Sequence, residues 1–158
     1  LIAEEETHQK MACGDPKAAA RVALLDPVLT LSQPQRVSAC TGVDALAHAL
    51  ESAVTRTRNP VSALFSHEAF VLANGALPAV LANPGDLQAR ARMQWAAALA
   101  GMAIEQSMLG AAHSAANPLT ARFGIVHGQA VGMLLPFVVR FNARDPEACG
   151  LYRELALA

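Results

Sequence analysis

Residues 41–52 read TGVDALAHALES, and the spacing of their polar side chains predicts an amphipathic helix. Asp44, His48 and Glu51 stand at positions i, i+4 and i+7, so on a helix they share one face. The other side of that helix is apolar, with Leu46, Leu50, Ala53 and Val54. One helical turn brings the Asp44 carboxylate and the His48 imidazole together, where both can bind one ion. For this pair alone, a solvated polar face is the simpler interpretation.

Outward from this stretch, the pattern stays helical from residue 34 almost to the end of the chain. Asn59 and Asp86 stand where N-caps are expected, and Pro60 suits a first helical turn. Pro78 and the NPG at residues 83–85 are expected to end the region of the second helix, and Gly124 to end the fourth helix. The predicted helices cover residues 34 or 41 to 55, 60–76, 87–108, 113–122 and 127–141. We therefore predict a bundle of five or six helices with interfaces rich in Ala and Gly.

The first thirty residues have a different pattern, which predicts β-structure. The stretches LIA and KMACG flank the polar EEETHQ, which indicates a hairpin. RVALLDP, residues 21–27, is predicted to be a short buried strand that ends at Asp26, because a residue before proline avoids the helical region. The chain begins with Leu and stops inside a helical pattern, so both ends look cut. We expect residues 1–30 to end one domain, and residues 31–158 to form a helical domain truncated at its C-terminus.

The length and hydrophobic content are enough for one domain with a hydrophobic core, and the net charge gives no basic surface for a polyanion. The 158 residues are 53% hydrophobic and carry a formal net charge of -1. Nucleic acids and anionic membranes attract clustered Lys and Arg, which this sequence lacks, so we expect neither partner. Charged residues make up only 16%, against about a quarter in a usual soluble domain. A further domain or subunit is therefore expected to cover part of the surface.

Cysteine usage and hydropathy point to the cytoplasm. Cys13, Cys40 and Cys149 lie far apart, which is typical neither of a disulfide framework nor of a thiolate zinc site. They are expected to be thiols in a reducing compartment. No apolar run approaches the ~18 residues of a membrane span, and no signal peptide is visible.

Two further histidines lie in apolar, glycine-flanked surroundings. His113 stands in LGAAHSAANPL, where a core histidine that donates to a carbonyl explains it equally well. His127 follows FGIV at a predicted helix start, where the macrodipole disfavours the imidazolium and leaves a lone pair for a metal. With Asp44 and His48 they make one carboxylate and three imidazoles, a set that suits Fe²⁺ or Zn²⁺. The residues alone leave a metal site and four unrelated residues equally open.

Several motifs together resemble the iron-containing alcohol dehydrogenase family. They are ACTGVDALAHALES, NPVSALFSHEAF, LAGMAI, LGAAHSAANPLTARFGIVHGQAVGMLLP and VVRFNA, in the family's order and spacing. The likeness runs from EEETHQKMA to FNA, which is most of the chain. It implies a mainly α fold, the helical bundle that forms the C-terminal domain of a dehydroquinate synthase-like, two-domain protein. Residues 1–30 would then be a β-hairpin and strand remnant of the N-terminal α/β nucleotide-binding domain.

The resemblance also implies roles for particular residues. Asp44, His48, His113 and His127 occupy the family's metal-ligand positions, and the implied ion is Fe²⁺, or Zn²⁺ in its place. Lys10 matches a family lysine that reaches toward the nucleotide, although an exposed hairpin lysine explains it as well. The family binds NAD(P) on an N-terminal domain with a GGGS-type turn, and these 158 residues contain no such segment.

The implied reaction is reversible hydride transfer between NAD(P) and a small alcohol or aldehyde, with the metal polarising the substrate oxygen. Asn117 departs from the family pattern, because many members have a proton-relaying histidine there and an amide does not titrate near neutral pH. This keeps open a related enzyme of the glycerol dehydrogenase, dehydroquinate synthase or maleylacetate reductase type. A third hypothesis is that the isolated chain is a non-catalytic metal-binding module. The full-length protein is expected to be a homo-oligomer.

Overall fold

The computed structural model describes the backbone of residues 2–3 and 10–11, residue 17, and residues 20–158. This part of the chain is mainly helical, as predicted. A short 3₁₀ helix at Pro27–Thr30 precedes the first α-helix. The α-helices are α1 (Gln35–Val54), α2 (Pro60–Ala82), α3 (Leu87–Ser107), α4 (Ala111–Phe123), α5 (His127–Asn142) and α6 (Pro146–Leu157).

Local side-chain chemistry sets several helix ends where the sequence predicts them. The Asn59 side chain accepts hydrogen bonds from backbone N–H groups in the first turn of α2, and Pro60 is the first residue of that helix. Asp86 caps α3 by accepting a hydrogen bond from the N–H of Ala89 at 3.0 Å. Gly124 ends α4 in the left-handed conformation, with φ of 64°. These four signals act within a few residues of one another along the chain, so the sequence alone reveals them.

The predicted end of α2 at Pro78 is wrong, because the helix continues to Ala82. A proline removes one backbone hydrogen bond and crowds the preceding turn, which usually ends or kinks a helix. Buried side chains flank Pro78 on both sides, at Leu77 and Val80. Their packing in the bundle outweighs the lost hydrogen bond.

By length and composition alone, α2 is also the one helix in the described ranges that is long and apolar enough to span a membrane. Core helices of soluble proteins pass the same test, and α2 packs along both α1 and α3. This finding revises the expectation that no apolar stretch reaches such a length.

The N-terminal region departs in part from its predicted β-structure. Ile2–Ala3 pairs antiparallel with Lys10–Met11, whereas the predicted turn between them lies outside the described residues. The predicted buried strand at residues 21–27 is wrong, since the segment is exposed and has no strand conformation. Leu24, for example, is 89% exposed. A strand needs a neighbour for its backbone hydrogen bonds, and residues 20–158 contain no strand that could provide one.

The bundle is organised around α1, which contacts each of the five other α-helices. Its interfaces are rich in alanine, as predicted, in two buried clusters: Ala47, Ala112, Ala116, Ala130, Val131 and Leu135, and Ala49, Ala69, Leu99 and Ala100. Small side chains let helix backbones approach closely. At Gly128 of α5 the approach is extreme, because a Cβ atom there would lie 2.0 Å from the Cys40 carbonyl oxygen of α1. The central position of α1 allows one of its faces to meet side chains from both α4 and α5.

Candidate metal centre

Three helices bring the four predicted metal residues to one place. Asp44 and His48 project from successive turns of α1. His113 lies in the first turn of α4, and His127 is the first residue of α5. Glycines near these histidines allow close packing, since a Cβ atom at Gly110 would meet Glu51 and one at Gly128 would meet the backbone of Cys40. Residues more than sixty positions apart in the sequence therefore become neighbours.

The Asp44 carboxylate is the centre of this cluster. Its Oδ1 atom lies 3.2 Å from His113 Nε2 and 3.6 Å from His127 Nε2. Its Oδ2 atom lies 3.7 Å from His48 Nε2. The imidazole rings are also close to one another, with centroids 4.7 Å apart for His48 and His113 and 5.4 Å apart for His113 and His127. One carboxylate thus faces three ring nitrogens.

The net effect of burial and neighbouring charges lowers the pKa of two of these groups, His48 and Asp44. Burial is the largest cause that lowers the pKa of His48, from 6.5 to about 4, and it outweighs the attraction of Asp44. Burial also works against the Asp44 carboxylate, but the His113 hydrogen bond and the charges of His48 and His127 leave its pKa below the ordinary value. At neutral pH the centre therefore pairs an ionised carboxylate with a neutral imidazole, which is the form of each that binds a metal.

His113 has a second acidic neighbour that the sequence interpretation did not include in the site. Its Nδ1 atom lies 2.5 Å from Glu51 Oε2, and Glu51 is only 2% exposed. Burial lowers the pKa of His113, but the hydrogen bonds to Asp44 and Glu51 outweigh it and raise that pKa to about 9. Glu51 shares the α1 face of Asp44 and His48 at i+7, so its spacing was the signal that could have revealed it.

The donor set fits a divalent cation. One ligand atom each from Asp44, His48 and His113 lies within 4.8 Å of the others. Several imidazoles gathered around one half-buried carboxylate form a ligand set for a cation, whereas an apolar core excludes such polar groups. The arrangement has the chemistry of a site for a divalent metal ion.

The sequence also matches a known family over the part of the chain that carries this site. The family described as Fe-containing alcohol dehydrogenase, C-terminal, matches residues 38–158. The chain belongs to the iron-containing alcohol dehydrogenase family. The match includes all four residues of the cluster and, from α2 onward, each helix in full.

Individual relatives agree with the family match. Aldehyde-alcohol dehydrogenase 2 of Entamoeba histolytica is 37% identical over 152 residues, which are 96% of this chain and 17% of that protein. Alcohol dehydrogenase 4 of Schizosaccharomyces pombe is 36% identical over 148 residues, which are 94% of this chain and 35% of that protein. The chain therefore spans about a third or less of the length of these two relatives.

A solved structure confirms the helical fold of this family member. The iron-containing alcohol dehydrogenase from Thermococcus thioreducens aligns with a TM-score of 0.83 at 32% sequence identity. The alignment covers 90% of this chain and 37% of that chain. The described helices thus have the fold of the helical, C-terminal part of iron-containing alcohol dehydrogenases.

Asn117, the departure from the family pattern, lies outside the cluster. Asn117 is exposed on α4, one turn after His113. Lys10 is described only through its backbone, which pairs with Ala3, and its side chain lies outside the described part of the chain. His67 is exposed, on α2. Neither Asn117 nor His67 adds a ligand to the four-residue centre.

A cleft in the described part of the chain lies beside the centre but does not include the four predicted ligands. It has a volume of about 660 Å³ and is lined by residues of α1, α4, α5 and α6, with Glu51 among them. Asp44, His48, His113 and His127 do not line it. The evidence for the metal centre is therefore the arrangement of its donor atoms, because the four ligands do not line this cleft.

The opposite pKa shifts of two histidines predict the pH dependence of stability in the metal-free chain. His48 takes up its proton at about pH 4 when folded but near 6.5 when unfolded, so stability falls as the pH drops from 6.5 to 4. His113 keeps its proton up to about pH 9 when folded, so its stabilising contribution is complete below 6.5 and is lost as the pH rises to 9. We expect stability to be greatest near pH 6.5.

Thermal unfolding in the presence of a chelator, measured from pH 4 to pH 10, tests this expectation. The alkaline side of the profile should flatten in His113→Asn, because that variant lacks the group whose pKa is raised. A midpoint that rises between pH 7 and pH 9 in the unmodified chain would contradict the assignment.

Proposed function

We propose that the chain supplies the metal-binding part of an NAD(P)-dependent alcohol dehydrogenase that interconverts a small alcohol and its aldehyde. The observation that carries the proposal is the convergence of one carboxylate and three imidazoles from three helices of a family member. The relatives support the reaction class, since two of them are named alcohol dehydrogenases. The full protein would be an oxidoreductase.

Fe²⁺, or Zn²⁺ in its place, would be held by Asp44, His48, His113 and His127. A divalent ion at this centre supplies a Lewis acid that polarises the oxygen atom of the substrate. Asp44 provides the negative charge that offsets the ion, and burial keeps His48 neutral with a lone pair available. The partial burial of all four side chains limits the access of water to the site.

The nicotinamide cofactor would be bound chiefly by an N-terminal α/β domain, with residues 1–30 as the end of that domain. The antiparallel pairing of Ile2–Ala3 with Lys10–Met11 supports a β-hairpin remnant at this end. Lys10 would contact the nucleotide. Hydride transfer then needs the two parts together, so the 158 residues alone are proposed to bind metal without turning over substrate.

Asn117 favours a second candidate function. Its amide stands one turn after His113 and can hold a water molecule or a hydroxyl group, but it cannot donate and recover a proton near neutral pH. Proton transfer would then pass through water. Alternatively, the full protein has another small carbonyl substrate, as in a glycerol dehydrogenase or maleylacetate reductase type of enzyme. Assays of the full-length protein with aldehydes, diols and keto-acids separate these possibilities.

We also propose that the full-length protein is a cytoplasmic homo-oligomer that binds neither nucleic acid nor membranes. The near-neutral charge of the chain supports the absence of binding to nucleic acid and membranes. Large apolar side chains on the surface of the described residues support self-association. Phe137 and Phe141, one turn apart on α5, are each 66% exposed.

Metal titration of the chain tests the proposed function. We expect about one Fe²⁺, Zn²⁺ or Co²⁺ ion per chain, and a much weaker site in His127→Ala because that variant loses one imidazole ligand. His67→Ala is the matched control, since His67 is exposed and on another helix. Equal metal content in both variants would rule out His127 as a ligand. Oxidation of NADH by the 158-residue chain with an aldehyde would show that the cofactor site is not on a separate domain.

A further inference from the structure

Glu51 is a buried acid whose two oxygen atoms each contact a nitrogen atom. The side chain is 2% exposed. Oε1 accepts a hydrogen bond of 2.6 Å from the backbone N–H of Ala112, and Oε2 lies 2.5 Å from Nδ1 of His113. Burying an acid is costly unless such partners satisfy it. Glu51 thus links α1 to the first turn of α4 beside the metal centre.

The identity of these partners determines what Glu51 does to His113. The backbone N–H of Ala112 can only donate, so Oε1 must accept. An ionised carboxylate has a second acceptor, and His113 can satisfy it by carrying a proton on Nδ1. The lone pair of the neutral ring is then on Nε2, the atom 3.2 Å from Asp44 Oδ1. Glu51 therefore favours the tautomer that presents Nε2 to the metal centre.

Gly110 provides the space for the Glu51 carboxylate. A Cβ atom at position 110 would lie 2.7 Å from Glu51 Oε1 and 3.1 Å from Glu51 Cδ. The backbone of Gly110 has φ of -112° and ψ of -155°, which other residues also adopt. Glycine is needed here for room beside the acid and not for its conformational freedom.

We propose that Glu51 is a positioning residue of the metal centre, which fixes the ring orientation and the tautomer of His113 in a space that Gly110 leaves open. The inference rests on the proposed function, because it assigns Glu51 a role toward the metal bound by Asp44, His48, His113 and His127. Carboxylates that accept from the second nitrogen of a ligating histidine commonly raise metal affinity in this way.

The variant Glu51→Gln tests the proposal with the smallest change in shape. Glutamine has one acceptor oxygen for two N–H donors, and its own amide N–H₂ group meets the other donor. We expect the dissociation constant for Zn²⁺ or Co²⁺ to rise about 10- to 100-fold. The matched control is Glu105→Gln, an exposed glutamate on α3, which should bind as the unmodified chain does.

The variant Gly110→Ala tests the same contact from the other side. Its Cβ atom displaces the Glu51 carboxylate, so metal affinity should fall in the same direction. Both changes act on one contact, so their effects should not add. The double variant should have about the same metal affinity as the single variant that binds metal more weakly. Gly101→Ala is the control, since a Cβ atom there meets nothing within 4 Å.

A spectroscopic measurement separates positioning from a purely structural role and needs no variant. In the Zn²⁺-loaded chain labelled with ¹⁵N-histidine, His113 should carry its proton on Nδ1, and the metal should be bound to Nε2. A proton on Nε2 with the metal on Nδ1 would overturn the inference, even if Glu51→Gln fails to fold. Unchanged metal affinity in a folded Glu51→Gln chain would overturn it as well, while leaving the proposed function intact. Failure of the unmodified chain to bind metal would overturn both.

Discussion

Replacing Asp44 by alanine is expected to remove metal binding from the chain. Asp44 is the carboxylate of the four-residue centre, and its oxygens lie between 3.2 and 3.7 Å from the Nε2 atoms of the three histidines. Without it, three imidazoles remain with no carboxylate ligand to offset the charge of a divalent ion. The loss of affinity should exceed the roughly 10- to 100-fold effect typical of removing an outer hydrogen-bond partner.

Elemental analysis of bound metal after dialysis measures this effect. Glu105→Ala is a suitable control, because it removes an exposed carboxylate from α3 and leaves the net charge equal to that of Asp44→Ala. Circular dichroism of both chains checks that the helices are retained. Asp44→Ala with the same metal content as the control would exclude the proposed centre.

Replacing Gly128 by alanine is expected to destabilise the chain strongly. The added Cβ atom would lie 2.0 Å from the Cys40 carbonyl oxygen and 2.6 Å from its carbonyl carbon, and both are backbone atoms of α1. A flexible side chain can turn away from such a clash, but a helix backbone cannot. We expect α5 to move away from α1, at a cost of about 3 kcal/mol or more. His127 is the adjacent residue, so metal binding should weaken together with stability.

Urea unfolding of the metal-free chain measures the change in the free energy of unfolding separately from any effect on metal binding. Gly101→Ala is the matched control, because its Cβ atom meets nothing within 4 Å on the exposed side of α3. In that helix interior alanine should be neutral or stabilising by up to about 1 kcal/mol. Equal unfolding midpoints for the two variants would mean that α1 and α5 do not pack as closely as the Gly128 contact requires.

The features predicted correctly from the sequence depend on neighbouring residues. Asn59 and Asp86 cap the helices that follow them by bonding to N–H groups within three positions. Asp44 and His48 meet because one helical turn separates them. Forming the helix is enough to bring both partners of each contact together, so the sequence pattern predicts these contacts.

The features predicted wrongly depend on the surroundings of a segment. Pro78 stays inside α2 because the bundle packs around Leu77 and Val80. Residues 21–27 are apolar enough for a strand, yet residues 20–158 contain no strand to pair with them. Local propensity is worth at most a few kcal/mol and is overridden by packing or by the lack of a partner.

The candidate metal centre combines both kinds of information. The sequence by itself determined the mainly helical fold, the helix ends at Asn59 and Asp86, and the pairing of Asp44 with His48 on one helix face. The tertiary structure alone decided that His113 and His127 reach that pair, and that Glu51 turns from a surface candidate into a buried partner of His113. The reason is chain separation: Glu51 and His113 are 62 positions apart, and only the packing of α4 and α5 against α1 brings such groups within bonding distance.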